Sequence, residues 1–296
     1  MRVPHLVQYQ GSKRSIAPEI IKFFPDKIER LVEPFSGTCS LSILAALENK
    51  CDKFWINDIN EPLIKMMEEC VNNPKKLADE YLSIWEGQFQ ADQNNIDYFY
   101  KIRNEFNCGT KDPARMLFLL ARIVKGAVRY NIRGELNQSC DKRRYGTKPQ
   151  IIADNALKIS KLLRERTFFS SKDYKEVLAE TKPGDLVYLD PPYQGTSNKD
   201  NRYIQGVNFN EFVNELEQLN HRNINFIVSY DGMTGEKIIG KRLPQKLELK
   251  HIYIYAGVSA QATLNGKKET TYESLYISKN LMCLSNKCEQ MNLYFA

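Results

Sequence analysis

Leu186-Val187-Tyr188-Leu189-Asp190-Pro191-Pro192-Tyr193 joins an apolar run to a corner that a strand cannot continue through. The run reads as a buried strand, and the acid-Pro-Pro-aromatic elbow that caps it is suited to holding an exocyclic amine. The Asp190 carboxylate and the Pro191 carbonyl, which has no N–H downstream of it, can accept the two hydrogens of an NH₂ group. The paired prolines fix the turn, and the Tyr193 ring can cover a planar base. Taken alone, the tetrapeptide also fits an ordinary Pro-Pro loop after a core strand, so the rest of the chain has to decide.

Working outward, apolar runs at 31–35, 54–57, 167–170, 225–229, 247–255 and 272–278 read as further strands, with Ile252 and Ile254 alternating in the run 247–255. Helical patterns lie between most of them. Thr38 can cap a helix carrying Leu41, Leu44 and Leu47, Asn60 opens one through Leu63, Met66 and Met67, and Asn210 opens one through Phe212, Leu216 and Leu219. This alternation predicts a parallel α/β sheet. The rhythm breaks between about 60 and 154, where helical segments at 96–106 and 114–128 precede a polar stretch over 129–148. The expected organisation is an α/β core from 1–59 and 155–280, a helical insertion over 60–154, and a tail over 281–296.

Charge sets the insertion apart. Residues 101–150 hold twelve Lys and Arg (Lys101, Arg103, Lys111, Arg115, Arg122, Lys125, Arg129, Arg133, Lys142, Arg143, Arg144 and Lys148) against Glu105, Asp112, Glu135 and Asp141, a net +8. The whole chain is only +6, so the remainder sums to −2. One segment is therefore built to meet a polyanion, unless the run is only a solvated face. The seven cysteines show no metal-binding spacing and the three histidines are scattered, so free thiols and no metal site are expected. No apolar stretch approaches a membrane span, and Met1 to His5 lacks the apolar core of a signal peptide, which predicts no membrane partner and a cytoplasmic chain.

Glu33-Pro34-Phe35-Ser36-Gly37-Thr38 lies where the first strand turns into a helix, and Gly37 permits a tight turn and close backbone approach. The second strand ends in Asn57-Asp58, 21 residues after Gly37, where a carboxylate can accept the ribose hydroxyls of an adenosine cofactor. Without G-x-G-x-x-G the turn does not suit a nicotinamide cofactor. Tyr9-Gln10-Gly11-Ser12-Lys13 lacks the spacing of a triphosphate loop, and it can instead clamp a cofactor bearing a ring and a carboxylate, or be a surface turn.

Tyr-x-Gly-x-Lys, Glu-Pro-Phe-x-Gly, Asn-Asp, Arg-Tyr-Asn-x-Arg-Gly-Glu-x-Asn and Asp-Pro-Pro-Tyr follow one another in that order. From about residue 8 to 279 the chain resembles the Dam-type, alpha-group N6-adenine DNA methyltransferases. The resemblance implies a Rossmann-like methyltransferase core with a mixed, mostly parallel seven-stranded sheet, S-adenosylmethionine as cofactor and a flipped-out adenine in duplex DNA as substrate. It implies catalysis by Asp190, Pro191, Pro192 and Tyr193. Cofactor contacts would come from Tyr9, where the family more often has Trp, and from Lys13, Glu33, Phe35, Gly37, Asp58, Asp173 and Asp190. Asp173 is equally suited to capping a helix.

DNA contacts are expected from Lys125, Arg129, Asn131, Arg133, Lys142, Arg143 and Arg144. Family members that read GATC carry Asn-Gly-Leu-x-Arg where this chain has Lys125-Gly126-Ala127-Val128-Arg129, and Pro where it has Ser139. Arg129 fits and can pair with guanine, but Lys125 and Ser139 depart, so the target is expected not to be GATC. The setting implied is restriction-modification or a solitary methylase, with a cognate restriction endonuclease as a candidate partner, a monomer, and association with the nucleoid. Three other readings stay open: an N4-cytosine DNA methyltransferase, an RNA adenine methyltransferase and a catalytically dead DNA-binding module.

Overall fold

Strands buried along nearly their whole length form the middle of one sheet. In the computed structural model, which describes residues 3–90, 94–109, 111–192, 207–234, 237–258 and 270–284, these are β1 (Arg30–Glu33), β2 (Phe54–Asn57) and β4 (Asp185–Leu189). Only Arg30 among their residues is more than slightly exposed. Such strands suit a parallel sheet covered on both faces. With β3 (Thr167–Ser170), β5 (Asn225–Thr234), β7 (Lys250–Val258) and β8 (Thr270–Ile277) they run in the order β3-β2-β1-β4-β5-β8-β7. The first five pair in parallel, whereas β8 is antiparallel to β5 and to β7. A short strand not expected from the sequence, β6 (Lys237–Ile239), pairs with the far end of β5, which continues past a bulge between Ser229 and Gly232.

Side chains alternate across this sheet. Leu31, Phe54, Leu186 and Tyr188 join one apolar core with helices α1 (Ala17–Ile20), α2 (Ser40–Leu47), α3 (Glu61–Asn72) and α7 (Pro149–Leu163). Val32, Trp55, Val187 and Leu189 join another with α8 (Tyr174–Ala179) and α9 (Phe209–His221). The insertion contributes α4 (Pro74–Gly87), α5 (Asn95–Cys108) and α6 (Pro113–Arg122), and a last helix, α10 (Lys279–Leu284), follows β8. Tyr81, Phe99, Phe106 and Leu117 of the insertion belong to the same contiguous core as Leu31 and Phe54, and of these helices α4 and α6 pack on α7 and α3. The expected division at 154/155 falls inside α7, which starts at Pro149 in the first turn and runs unbroken to Leu163. Among the described residues no helix is long and apolar enough to cross a membrane.

Three helix boundaries differ from expectation for local reasons. Gly37 and Cys39 both take left-handed backbone, which moves the cap of α2 from Thr38 to Cys39, so that the helix begins at Ser40. Asn208, rather than Asn210, caps α9 by accepting from the N–H groups of Asn210 and Glu211. The expected helix over 114–128 stops at Arg122 because Ile123 is extended, and only a single turn, Val124–Gly126, follows.

Candidate active site

The chain builds outward from β1 to β2 and β3, then crosses back to β4 on the other side, so β1 and β4 are neighbours whose connections leave in opposite directions. Their carboxyl ends open a crevice where ligands bind in folds of this kind. A cleft open to solvent, with about 990 Å³ of empty space, lies there. Tyr9, Lys13, Glu33, Phe35, Gly37, Asp58, Asp190, Pro191 and Pro192, all expected site residues, line it. Tyr193 lies outside the described residues.

The cleft floor is held by polar side chains at strand ends. Asn57 at the end of β2 uses its whole amide: Nδ2 donates to the carbonyls of Pro34 and Lys172 at 3.0 Å each, and Oδ1 accepts from the Ser170 hydroxyl at 2.7 Å and the Lys172 N–H at 2.8 Å. Three strand ends are thereby fastened together. Asp58 follows, accepting from the Gly37 N–H on Oδ2 and from the Asn60 N–H on Oδ1, both at 2.9 Å. Burial pushes its carboxyl up against these two bonds. Gly37, at φ 52°, lets the Tyr9 ring lie on the turn, since a Cβ there would stand 3.3 Å from Tyr9 Cε1.

Glu33 is buried at the end of β1 and accepts from the Ser42 N–H at 2.9 Å and from the Ser42 hydroxyl, which pins the first turn of α2. Burial raises its carboxyl to about 7. Across the cleft, Lys13 Nζ stands 3.0 Å from Asp190 Oδ1 and 2.5 Å from Glu273 Oε1. Burial pushes the Asp190 carboxyl up, the Lys13 ammonium draws it down, and the nearby Glu273 and Asp58 raise it again.

Asp173 sits apart from this group. Its side chain caps α8, accepting from the Lys175 N–H at 2.9 Å, and it faces an adjoining hollow that shares Phe35 and Ile59 with the main cleft. The Phe35 and Tyr174 rings, 5.1 Å apart, form part of that hollow's wall.

The insertion reaches the cleft through Gly126 and Tyr130. Gly126 has φ 62° and its carbonyl accepts from the Gln10 N–H at 3.1 Å; a Cβ there would collide with the Gln8 carbonyl, so backbone meets backbone. Tyr130 lines the cleft, and its hydroxyl donates to Asn60 Oδ1 at 3.0 Å. Beyond it, Arg129, Ile132 and Arg133 are exposed on a short loop. Asn131 shapes that loop: Oδ1 accepts from the Arg133 and Glu135 N–H groups and Nδ2 donates to the Glu135 carboxylate. Its side chain is thus committed to the turn. Lys142, Arg143 and Arg144 are exposed, the last two beside the buried Asp141. Lys125 lies in the Val124–Gly126 turn.

The +8 block is partly internal. Arg122 is fully buried and donates to Gln88, while Arg103 donates to the carbonyls of Asn137 and Gln138 and Lys111 to that of Gly134. Arg115 pairs with Glu105 and Asp112. These four cations are tied to backbone carbonyls, an amide and acids of the insertion itself. Sequence reasoning also missed Glu273, Ser229, Asn60 and Tyr130. Glu273 had a signal: a carboxylate in an otherwise uncharged strand, Thr270–Ile277, between the aromatic Tyr272 and the buried Ser274 and Leu275.

A sheet in this order, with a glycine turn after its first strand and an acid after its second, is the Rossmann-like methyltransferase fold. Residues 9–260 match the family model of D12 class N6 adenine-specific DNA methyltransferases, and the chain belongs to that family. It is 30% identical over 190 residues to the DNA adenine methylase of Serratia marcescens, covering 63% of this chain and 66% of that protein. The DNA adenine methylase of Salmonella typhi is 30% identical over 195 residues, covering 63% and 64%. The type II methyltransferase M.MjaIII of Methanocaldococcus jannaschii is 24% identical over 274 residues, covering 82% and 93%. The chain thus spans just under two thirds of the length of the two DNA adenine methylases.

Proposed function

We propose that this chain methylates the N6 amine of adenine in duplex DNA, with S-adenosylmethionine as the donor. One observation carries the reading: Asp190 and the Pro191–Pro192 corner line the same cleft as Gly37 and Asp58, so an amine acceptor faces a nucleoside-binding floor. The residues fit the cofactor. Each Asp58 oxygen accepts one backbone N–H and keeps a lone pair for a ribose hydroxyl, and the Tyr9 ring and Phe35 supply apolar walls.

S-adenosylmethionine, when bound, supplies a methyl group that passes to the amine with the bonding electrons left on sulfur. The chain's residues prepare the amine. Its lone pair is delocalised into the adenine ring, and acceptance of its two hydrogens by Asp190 and the Pro191 carbonyl favours a more tetrahedral nitrogen with that pair directed at the methyl group. The nitrogen becomes cationic as the new bond forms, and it sheds one hydrogen as a proton, for which the Asp190 carboxylate is the acceptor.

The target base must leave the duplex to reach this corner. Arg129, Arg133, Lys142, Arg143 and Arg144 are exposed cations of the insertion that suit phosphate or guanine, with Asn131 as the organiser of the loop that holds the first two. A cleft lined by residues of one chain suits a monomer. The likeness to a protein named a type II methyltransferase supports a restriction-modification setting with a companion endonuclease. The test is expression in a methylation-free host, followed by mapping of modified bases and nucleoside mass spectrometry. N6-methyladenine at one short sequence other than GATC is expected. N4-methylcytosine, or an unmodified genome, overturns the reading.

A further inference from the structure

Glu273 on β8, two positions across the sheet from the strand that carries Asp190, reaches Lys13, which lines the cleft. Its Oε1 lies 2.5 Å from Lys13 Nζ and accepts the Ser229 hydroxyl of β5 at 2.5 Å, while Lys13 Nζ stands 3.0 Å from Asp190 Oδ1. The three charged side chains are 9% (Lys13), 14% (Glu273) and 17% (Asp190) exposed. One buried cation therefore lies between two buried acids, closer to the one that does not face the proline corner. We propose that Glu273 is a positioning residue: it neutralises Lys13, so that the Asp190 carboxylate remains an acceptor for the target amine and is not closed into an ion pair. This rests on the methyltransferase reading of the cleft.

The argument is electrostatic. Removed from water, opposite charges at contact distance attract far more strongly than they do at a surface. Lys13 with Asp190 alone would be a neutral pair, and its ammonium would oppose the positive charge that the amine acquires. Glu273 restores a net single negative charge to the trio, and Ser229 fixes its orientation. Among the described residues, the groups facing Asp190 are Lys13 from the turn after Gly11, Glu273 from β8, Asp58 after β2, the Tyr188 hydroxyl on β4 itself and Glu33 at the end of β1. Lys13 holds the acid down; Glu273 and Asp58 push it up. Loss of the Glu273 charge should therefore move Asp190 toward more acidic titration.

Glu273→Gln keeps the shape and an amide oxygen for Ser229. In cofactor-free protein labelled with 13Cγ aspartate, the Asp190 resonance, assigned with Asp190→Asn, is expected to titrate about 0.5 pH lower or more in this variant. With tritiated S-adenosylmethionine and genomic DNA from a methylation-free host, kcat should fall about tenfold or more with the cofactor KM within about twofold. In a Lys13→Gln background the same change should have little further effect, because it acts through Lys13. An unmoved Asp190 midpoint, or a loss of rate undiminished in the Lys13→Gln background, overturns the proposal. Where Glu273→Gln melts below the assay temperature, Glu273→Asp carries the titration: withdrawing the carboxylate by one methylene should move the midpoint the same way by less, and no movement overturns the proposal. If the wild-type chain transfers no methyl group to that DNA, the methyltransferase reading fails, and the Asp190 titration still decides whether Glu273 sets this acid's charge.

Discussion

The Gly37 N–H donates to Asp58 Oδ2 at 2.9 Å, so the turn that ends β1 is tied to the loop that ends β2 by a carboxylate that lines the cleft. One side chain thus serves the scaffold and the nucleoside floor at once. Asp58→Ala would leave the Gly37 and Asn60 N–H groups unpaired at a buried corner, at about 1–3 kcal/mol for each. Calorimetric titration with S-adenosylhomocysteine should show binding weakened at least tenfold, roughly 1.4 kcal/mol, together with a lower Tm. Unchanged affinity would remove Asp58 from the ribose position.

Asp190→Ala should separate stability from turnover. Lys13 keeps Glu273 as its counterion in this variant, so no buried charge is abandoned and the fold should persist. Methyl transfer, in contrast, loses a charged acceptor worth about 1.5–3 kcal/mol together with the alignment it gives the amine. Turnover within tenfold of wild type, measured with a wild-type-like melting curve, would refute the role.

The parts of this architecture that local sequence determines are legible in the sequence itself. Strands 54–57 and 167–170 stand where their apolar runs end, because Asn57 and Ser170 close them with polar side chains. The corner at Asp190 and the acid at Asp58 were legible because prolines, a glycine and a carboxylate at strand ends leave few other uses. Glu273 was not, since its meaning comes from Lys13, 260 residues away, and only antiparallel insertion of β8 beside β5 brings the two together. Nor does a count of charges distinguish Arg122, which is sealed inside the insertion, from Arg129, which is not. Long-range pairing and burial decide both.

Glu33 predicts a pH dependence of stability. Its carboxyl titrates near 7 in the fold, against 4.5 unperturbed, so the folded chain binds the extra proton in that interval. Stability from this group is complete below about 4.5 and is lost as pH rises through 7. Glu33→Gln retains an acceptor for Ser42 and carries no charge. Its Tm relative to wild type should climb between pH 4.5 and 7 and level off above, at about 2–4 °C per kcal/mol. A pH-independent difference would mean that Glu33 is not the titrating group.

The loop cations predict a salt effect. Arg143 and Arg144 pair with Asp141 at 3.1 and 3.5 Å yet are 80% and 63% exposed, so each guanidinium still presents N–H groups to solvent for a phosphate. Neutralising Lys142, Arg143 and Arg144 together should weaken duplex binding and flatten the log-log salt slope by roughly 2.7 if all three touch phosphate. An unchanged slope would put the DNA on another face.

Arg122 and Arg129 belong to one basic segment and should fail in opposite ways. Arg122 has no exposed surface, donates to Gln88 and lies near the Phe118 and Tyr145 rings, so Arg122→Ala should remove packing and take the Arg122 donor away from the buried Gln88 Oε1. A loss of about 2–4 kcal/mol is expected, read as a lower Tm, with reduced DNA binding only in proportion to unfolding. Arg129 is exposed, and of its groups the backbone carbonyl accepts from the Asn137 N–H at 3.0 Å, a bond that Arg129→Ala preserves. That variant should melt like wild type. It should bind cognate duplex about 1–3 kcal/mol more weakly and discriminate less at one position of its target, as loss of a guanine contact requires. If Arg129→Ala lowers Tm as Arg122→Ala does, its side chain belongs to the scaffold as well, and the guanine reading falls with it.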